Sequence, residues 1–155
     1  MKTICISLAA AIGVCAVCLL LWLYFSAMPY AKVIHKNWGI ELPTAGERDL
    51  YSYSQPSPHG DGVRYHVIDY PVGKDSKETR KTVSRLESIF RDVTEPTESQ
   101  ISRVEQLLEE RGIEDDAVPD WKRCSLLYLK QEDGSELFLF CWLGTGTLYV
   151  VESFF

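Results

Sequence analysis

The chain has 155 residues and a net charge of −6, with 46% hydrophobic and 25% charged side chains. Lys2 is the one charged side chain before residue 32, so the remainder carries −7. That acidity, with no dense Lys/Arg stripe to offset it, argues against nucleic acid as a partner and disfavours a peripheral grip on anionic lipid.

Residues 4–25 contain no charge, and Ser7 is their one conventionally polar side chain. As a helix they would span ~33 Å, enough for a hydrocarbon core of about 30 Å. Trp22, Tyr24 and Tyr30 gather at the C-terminal end, where amphipathic rings favour a membrane interface, and Lys32 and Lys36 can reach headgroups. Residues 1–30 are therefore expected to be a membrane anchor. The alternative is a cleaved signal peptide, but signal cores run to about 7–15 apolar residues. Ser26-Ala27 followed by Met28, Pro29 and Tyr30 is also a poor cleavage site. Val14 and Val17 before Cys15 and Cys18 make lipoprotein processing a poor match, and those cysteines read as apolar filler. Lys2 with the amino terminus nearly balances Lys32 with Lys36, so charge alone does not orient the segment. A short tail ahead of a long C-terminal domain favours a single-pass signal anchor with the domain extracytoplasmic.

Residues 31–48 form a lead-in with turn signals at Pro43 and Gly46. Trp38, Ile40 and Leu42 alternate, which suggests a short strand or an extended packing segment. Residues 49–155 are expected to be one α+β domain. Residues 50–54 and 63–70 are rich in β-favouring side chains and read as a hairpin around a long loop, whose two prolines and two glycines preclude regular structure. Asp75 or Ser76 can cap a helix whose stripe is Val83, Leu86, Ile89, Phe90 and Val93. After Pro96, Thr97 and Gln100 form a capping box for a second helix with Ile101, Val104, Leu107 and Leu108 inward and Gly112 at its stop. Three strands close the chain at residues 123–130, 136–143 and 147–154. The order is ββ-αα-βββ, a mostly antiparallel sheet with two helices packed on one face. There is no internal repeat.

A two-residue turn at Asp133-Gly134 would set Leu126 opposite Cys141 and Cys124 opposite Leu143. Cys124 and Cys141 would then share a face diagonally, a placement compatible with a disulfide but equally with two buried thiols. In that register Leu126, Tyr128, Leu137, Leu139 and Cys141 line one face, and Leu127, Leu129, Phe138, Phe140 and Trp142 the other. Two helices cover one apolar face. The second is left to the lead-in and first hairpin, or to a protein partner or second copy, making Phe138, Phe140 and Trp142 a candidate interaction face.

The loop Pro58-His59-Gly60-Asp61-Gly62 offers His59 and Asp61 as a base with its orienting partner or as two metal ligands. Strand alternation sends nearby His66 and Asp69 to opposite faces, and no Cys/His cluster completes a metal shell, so a glycine-rich turn is the plainer reading. Cys124 and Cys141 sit mid-strand among bulky apolar residues, an environment that suppresses thiol reactivity. Gly144-Thr145-Gly146-Thr147 lacks the lysine and helix of a phosphate loop and reads as a hairpin turn. The acidic run of Glu109, Glu110, Glu114, Asp115 and Asp116 matches no calcium loop and reads as a solvated face. Tyr51, Tyr53, Tyr65 and Tyr70 fit cross-strand pairing as well as a ligand groove. No catalytic set, cofactor motif or metal motif stands out. The expected function is a membrane-anchored extracytoplasmic binding or protein-interaction module. The alternative is an extracytoplasmic enzyme or metal-binding domain using the His59/Asp61 loop.

Overall fold

Tyr30, Ala31, Ile34 and Trp38 recur at the spacing of one helical face, and all four are buried. They make Tyr30–Trp38 a helix, α1, ended by Gly39 in the left-handed region (φ 72°), whose N–H donates to His35 O at 2.9 Å. This computed structural model describes residues 29–54, 61–72, 76–113 and 117–155, together with Gly13, Val17 and Cys18. After α1 come β1 (Arg48–Ser54), β2 (Gly62–Asp69), α2 (Lys77–Ile89), α3 (Glu98–Glu109), a short 3₁₀ turn at Trp121–Arg123, β3 (Ser125–Lys130), β4 (Glu136–Trp142) and β5 (Thr147–Phe154). The chain folds as a small α+β domain with a five-stranded antiparallel sheet in the order β1-β2-β5-β4-β3.

The helix caps follow the local sequence. Ser76 accepts the Thr79 N–H at the start of α2, and Thr97 and Gln100 complete the capping box of α3. The expected placement of both helices on one face is not what forms. α2 joins α1 on one face, where Ile34, Trp38, Leu86 and Phe90 pack on Ile68, Tyr70, Leu139, Leu148 and Val150. α3 lies on the other, where Val104, Leu107, Leu108 and Trp121 pack on Tyr65, Leu126, Phe138, Phe140 and Val151. The cause is the connection between them. It runs beside edge strand β3, with Leu126 N–H donating to Thr94 O at 3.4 Å, and so carries the chain around the sheet. Both apolar faces are thereby roofed. Full burial of each large apolar side chain contributes about 1.5–3 kcal/mol.

Three local expectations are also corrected. Residues 38–42 form no strand, because Trp38 closes α1 and only Ile40 and Leu42 run extended against the core. Tyr30 is not an interfacial ring but is buried in the domain. The β3–β4 loop holds three residues rather than two. Gln131 N–H donates to Ser135 O at 2.9 Å across Glu132-Asp133-Gly134, with Gly134 at φ 93°. Leu126 therefore pairs with Phe140 and Ser125 with Cys141. One residue of slip moves every β3 side chain to the opposite face.

Residues 4–25 lie almost wholly outside the described residues. Among the described residues no helix is long and apolar enough to cross a membrane.

Candidate functional site

Along β5, Leu148 and Val150 point toward α1 and α2, and the same alternation sends Glu152 there too. Glu152 is completely buried. A carboxylate persists in such surroundings only where donors replace water. Its Oε2 accepts from the Tyr30 hydroxyl, and its Oε1 accepts from Trp38 Nε1 at 2.6 Å and Asn37 Nδ2 at 3.4 Å. Arg64 Nη1 stands 3.9 Å from Oε2, and its guanidinium lies over the Phe154 ring, 4.6 Å from the centroid. Three of these four partners belong to α1, so one carboxylate on the sheet fastens the helix at both ends.

Neighbouring groups extend the fastening. The Tyr30 ring stacks on His66 with centroids 3.4 Å apart and planes at 18°. Burial, reinforced by the Glu152 charge, pushes the Tyr30 phenol far above its ordinary range, so it stays a donor. His66 Nδ1 lies 3.5 Å from Asp49 Oδ2 and makes no hydrogen bond among the described residues. Burial pushes the imidazole below its ordinary value, although Asp49 opposes the shift. Glu47 Oε1 accepts the Ala31 N–H at 3.2 Å at the start of α1, and burial raises that carboxyl. The arrangement is an internal joint between helix and sheet.

The residues singled out in the sequence are dispersed. His59 lies outside the described residues. Asp61 lines an open cleft of about 530 Å³ with Val63, Arg103, Leu107, Arg111 and Phe155. His66 belongs to the opposite face of the sheet from this cleft, so β2 does not bring it to Asp61. Among the described residues no group of three His, Cys, Asp or Glu side chains is placed to hold a metal ion. Phe138 and Phe140 are buried beneath α3 and the Trp121 ring, whose centroid is 4.4 Å from that of Phe140. Trp142 alone of that trio reaches the surface. Arg123 lies over its ring at 5.8 Å, and Leu143 beside it is 39% exposed. Cys124 and Cys141 are free thiols in the cores of opposite faces, raised by burial to about 11 and about 12. Such thiols are poor nucleophiles near neutral pH.

Glu152 was not singled out in the sequence, and Tyr30 was read there as an interfacial ring rather than as its partner. The available signal was an acid set on the same strand face as Leu148 and Val150. No protein-family model matches this chain, and no curated protein or solved structure compared with it gives a match.

Proposed function

We propose that the chain is a single-pass membrane protein whose extracytoplasmic α+β domain is a protein-interaction module. The observation that carries this reading is the seating of α1. Its first residue, Tyr30, lies five positions after the last residue of the apolar segment, a reach of at most about 18 Å. That helix is fastened through Glu152 into the core rather than left as a tether. A domain held so would present its surfaces to membrane neighbours at high effective concentration.

The surface favoured for the partner is Trp142 with Arg123 and Leu143, on one end of the sheet. Trp and Arg are the side chains most enriched where protein interfaces concentrate their binding energy. This narrows the interaction face expected from the sequence, since Phe138 and Phe140 serve the core. Retention of the full chain in membranes through alkaline carbonate extraction tests the anchor. Labelling of an introduced Glu132→Cys from outside intact cells tests the orientation. Release by carbonate, or labelling only after cell lysis, would contradict the respective part.

A second reading draws on the cleft at Asp61. Its volume suits a small ligand, and Arg103 and Arg111 add polar groups to apolar walls. Stoichiometric metal or an organic ligand in the purified full chain would favour it.

A further inference from the structure

The two edges of the sheet are not alike. At edge strand β3 the Leu126 N–H already donates to Thr94 O at 3.4 Å, and Lys130 ends the strand. Both features discourage further pairing. At edge strand β1 no segment among the described residues bonds the outer side of the backbone. Residues 50–54, Leu-Tyr-Ser-Tyr-Ser, hold neither charge nor proline. The bulge between Asp49 and Tyr51 interrupts the strand near one end and leaves Tyr51–Ser54 regular. Such an edge is a template for a further strand.

The sequence of this edge complements itself. In an antiparallel pair centred on Ser52, each Ser52 meets the other, and Tyr51 of either copy meets Tyr53 of its mate. Aromatic cross-strand pairs are stabilising, and no charge faces a like charge. The two-fold axis of such a pair stands perpendicular to the sheet, so each face continues into the same face of the second copy. Both α1 helices then lie on one side. Ser52 pairs with His66 on β2, and the Tyr30 ring stacks on His66. With strands about 4.8 Å apart, each His66 stands about 7 Å from the axis, and the two Tyr30 rings flank it about 14 Å from one another. Each Tyr30 lies at most about 18 Å from the end of its apolar segment. Two anchors packed about 8–10 Å apart are well within that reach.

From this we infer that the partner at β1 is a second copy of this chain, paired edge to edge about Ser52 with both anchors in one bilayer. The inference rests on the anchoring reading, and this partner is additional to the one expected at Trp142. Two short edges make a small interface beside the about 1,200–2,000 Å² of stable ones, and shared anchoring offsets this by raising effective concentration. The apolar segment carries a matching feature. Ala9, Gly13 and Ala16 follow at spacings of four and three, which in an anchoring helix would set small residues on one face for close helix approach. Nothing lies within 4 Å of where a Gly13 Cβ would stand, so packing within this chain does not call for the glycine.

The test uses the full chain in native membranes, with Cys5, Cys15 and Cys18 replaced by Ala so that they form no crosslinks. Ser52→Cys should give a disulfide-linked dimer under mild oxidation. Ser54→Cys, also exposed, should not, because its two copies would stand about 14 Å apart. In mild detergent Ser52→Lys sets like charges face to face and should weaken the dimer on the order of fivefold by light scattering. Mixing Ser52→Lys with Ser52→Asp chains should restore it, which a folding defect would not allow. Equal crosslinking at positions 52 and 54, a different protein in the Ser52→Cys product, or a Ser52→Lys dimer as tight as the unaltered one overturns the pairing. A carbonate-resistant chain that gives no Ser52→Cys dimer also overturns it and leaves the anchor standing. A Ser52→Cys dimer in a chain extracted by carbonate overturns the shared bilayer and leaves the edge pairing.

Discussion

Removing the Tyr30 hydroxyl tests the joint between α1 and the sheet. That hydroxyl donates to a completely buried carboxylate, and a hydrogen bond to a charged group contributes about 1.5–3 kcal/mol net. Tyr30→Phe should therefore cost that much. Glu152→Ala should cost more, about 3–5 kcal/mol, because it strands the Tyr30 hydroxyl and the Trp38 N–H in the core and leaves Arg64 without its carboxylate. Once Glu152 is gone, Tyr30→Phe removes an orphaned donor and should be neutral or slightly stabilising. The coupling in this double-mutant cycle is thus expected to be at least about 1.5 kcal/mol. Urea unfolding of the full chain in mild detergent, followed by tryptophan fluorescence, measures each corner. Native-state hydrogen exchange adds position, since Glu152→Ala should cost protection first in α1 and only later in β4 and β5. If Tyr30→Phe costs the same in both backgrounds, the hydroxyl is not bonded to Glu152 and the joint is drawn wrongly.

His66 gives a pH test. Its folded pKa lies below its ordinary 6.5, so the unfolded chain binds the extra proton first. Its contribution to stability is present above 6.5 and is lost as pH falls from there through the folded value, and His66→Gln should flatten that slope in urea titrations. Gly146 combines a φ of 75° with backbone and side-chain atoms of Tyr70 and Val72 where a Cβ would lie. Gly146→Ala should destabilise by about 2–4 kcal/mol from strain and overpacking together, read as a lowered urea midpoint. Cys124 and Cys141 should resist a thiol reagent near neutral pH in the native chain and react fully in urea, since burial holds their thiols at about 11 and about 12. Thr97→Ala should cost about 1 kcal/mol through loss of the α3 capping box, again by urea unfolding.

The parts of this fold legible in the sequence were those set by local rules. Ser76, the Thr97–Gln100 box and Gly112 mark helix ends with side chains a few residues apart, and the structure uses all three. The turn at Asp133-Gly134 was legible as a turn, but its length was not. Two-residue and three-residue loops share the same Asp-Gly signal, and the choice rests on whether Gln131 or Glu132 closes the ladder. That one residue exchanged the faces of β3, while the placement of α3 on the face opposite α1 and α2 turned Phe138 and Phe140 from a partner surface into core. The helix at Tyr30–Trp38 was hidden by a competing period. Trp38, Ile40 and Leu42 alternate like a strand, whereas Tyr30, Ala31, Ile34 and Trp38 repeat like a helix, and the Glu152 network settles which governs Trp38. Glu152 finds its α1 partners more than a hundred residues earlier in the chain, and no local pattern encodes such a pairing.

Photocrosslinking in living cells tests the interaction reading most directly. A photoreactive residue at Leu143, beside Trp142 and Arg123, should capture a discrete membrane-associated partner. That product should vanish with Trp142→Ala while the chain stays folded and membrane-retained. Absence of any discrete product from position 143, or an unchanged product in Trp142→Ala, would contradict the assignment of this surface and of the function it carries.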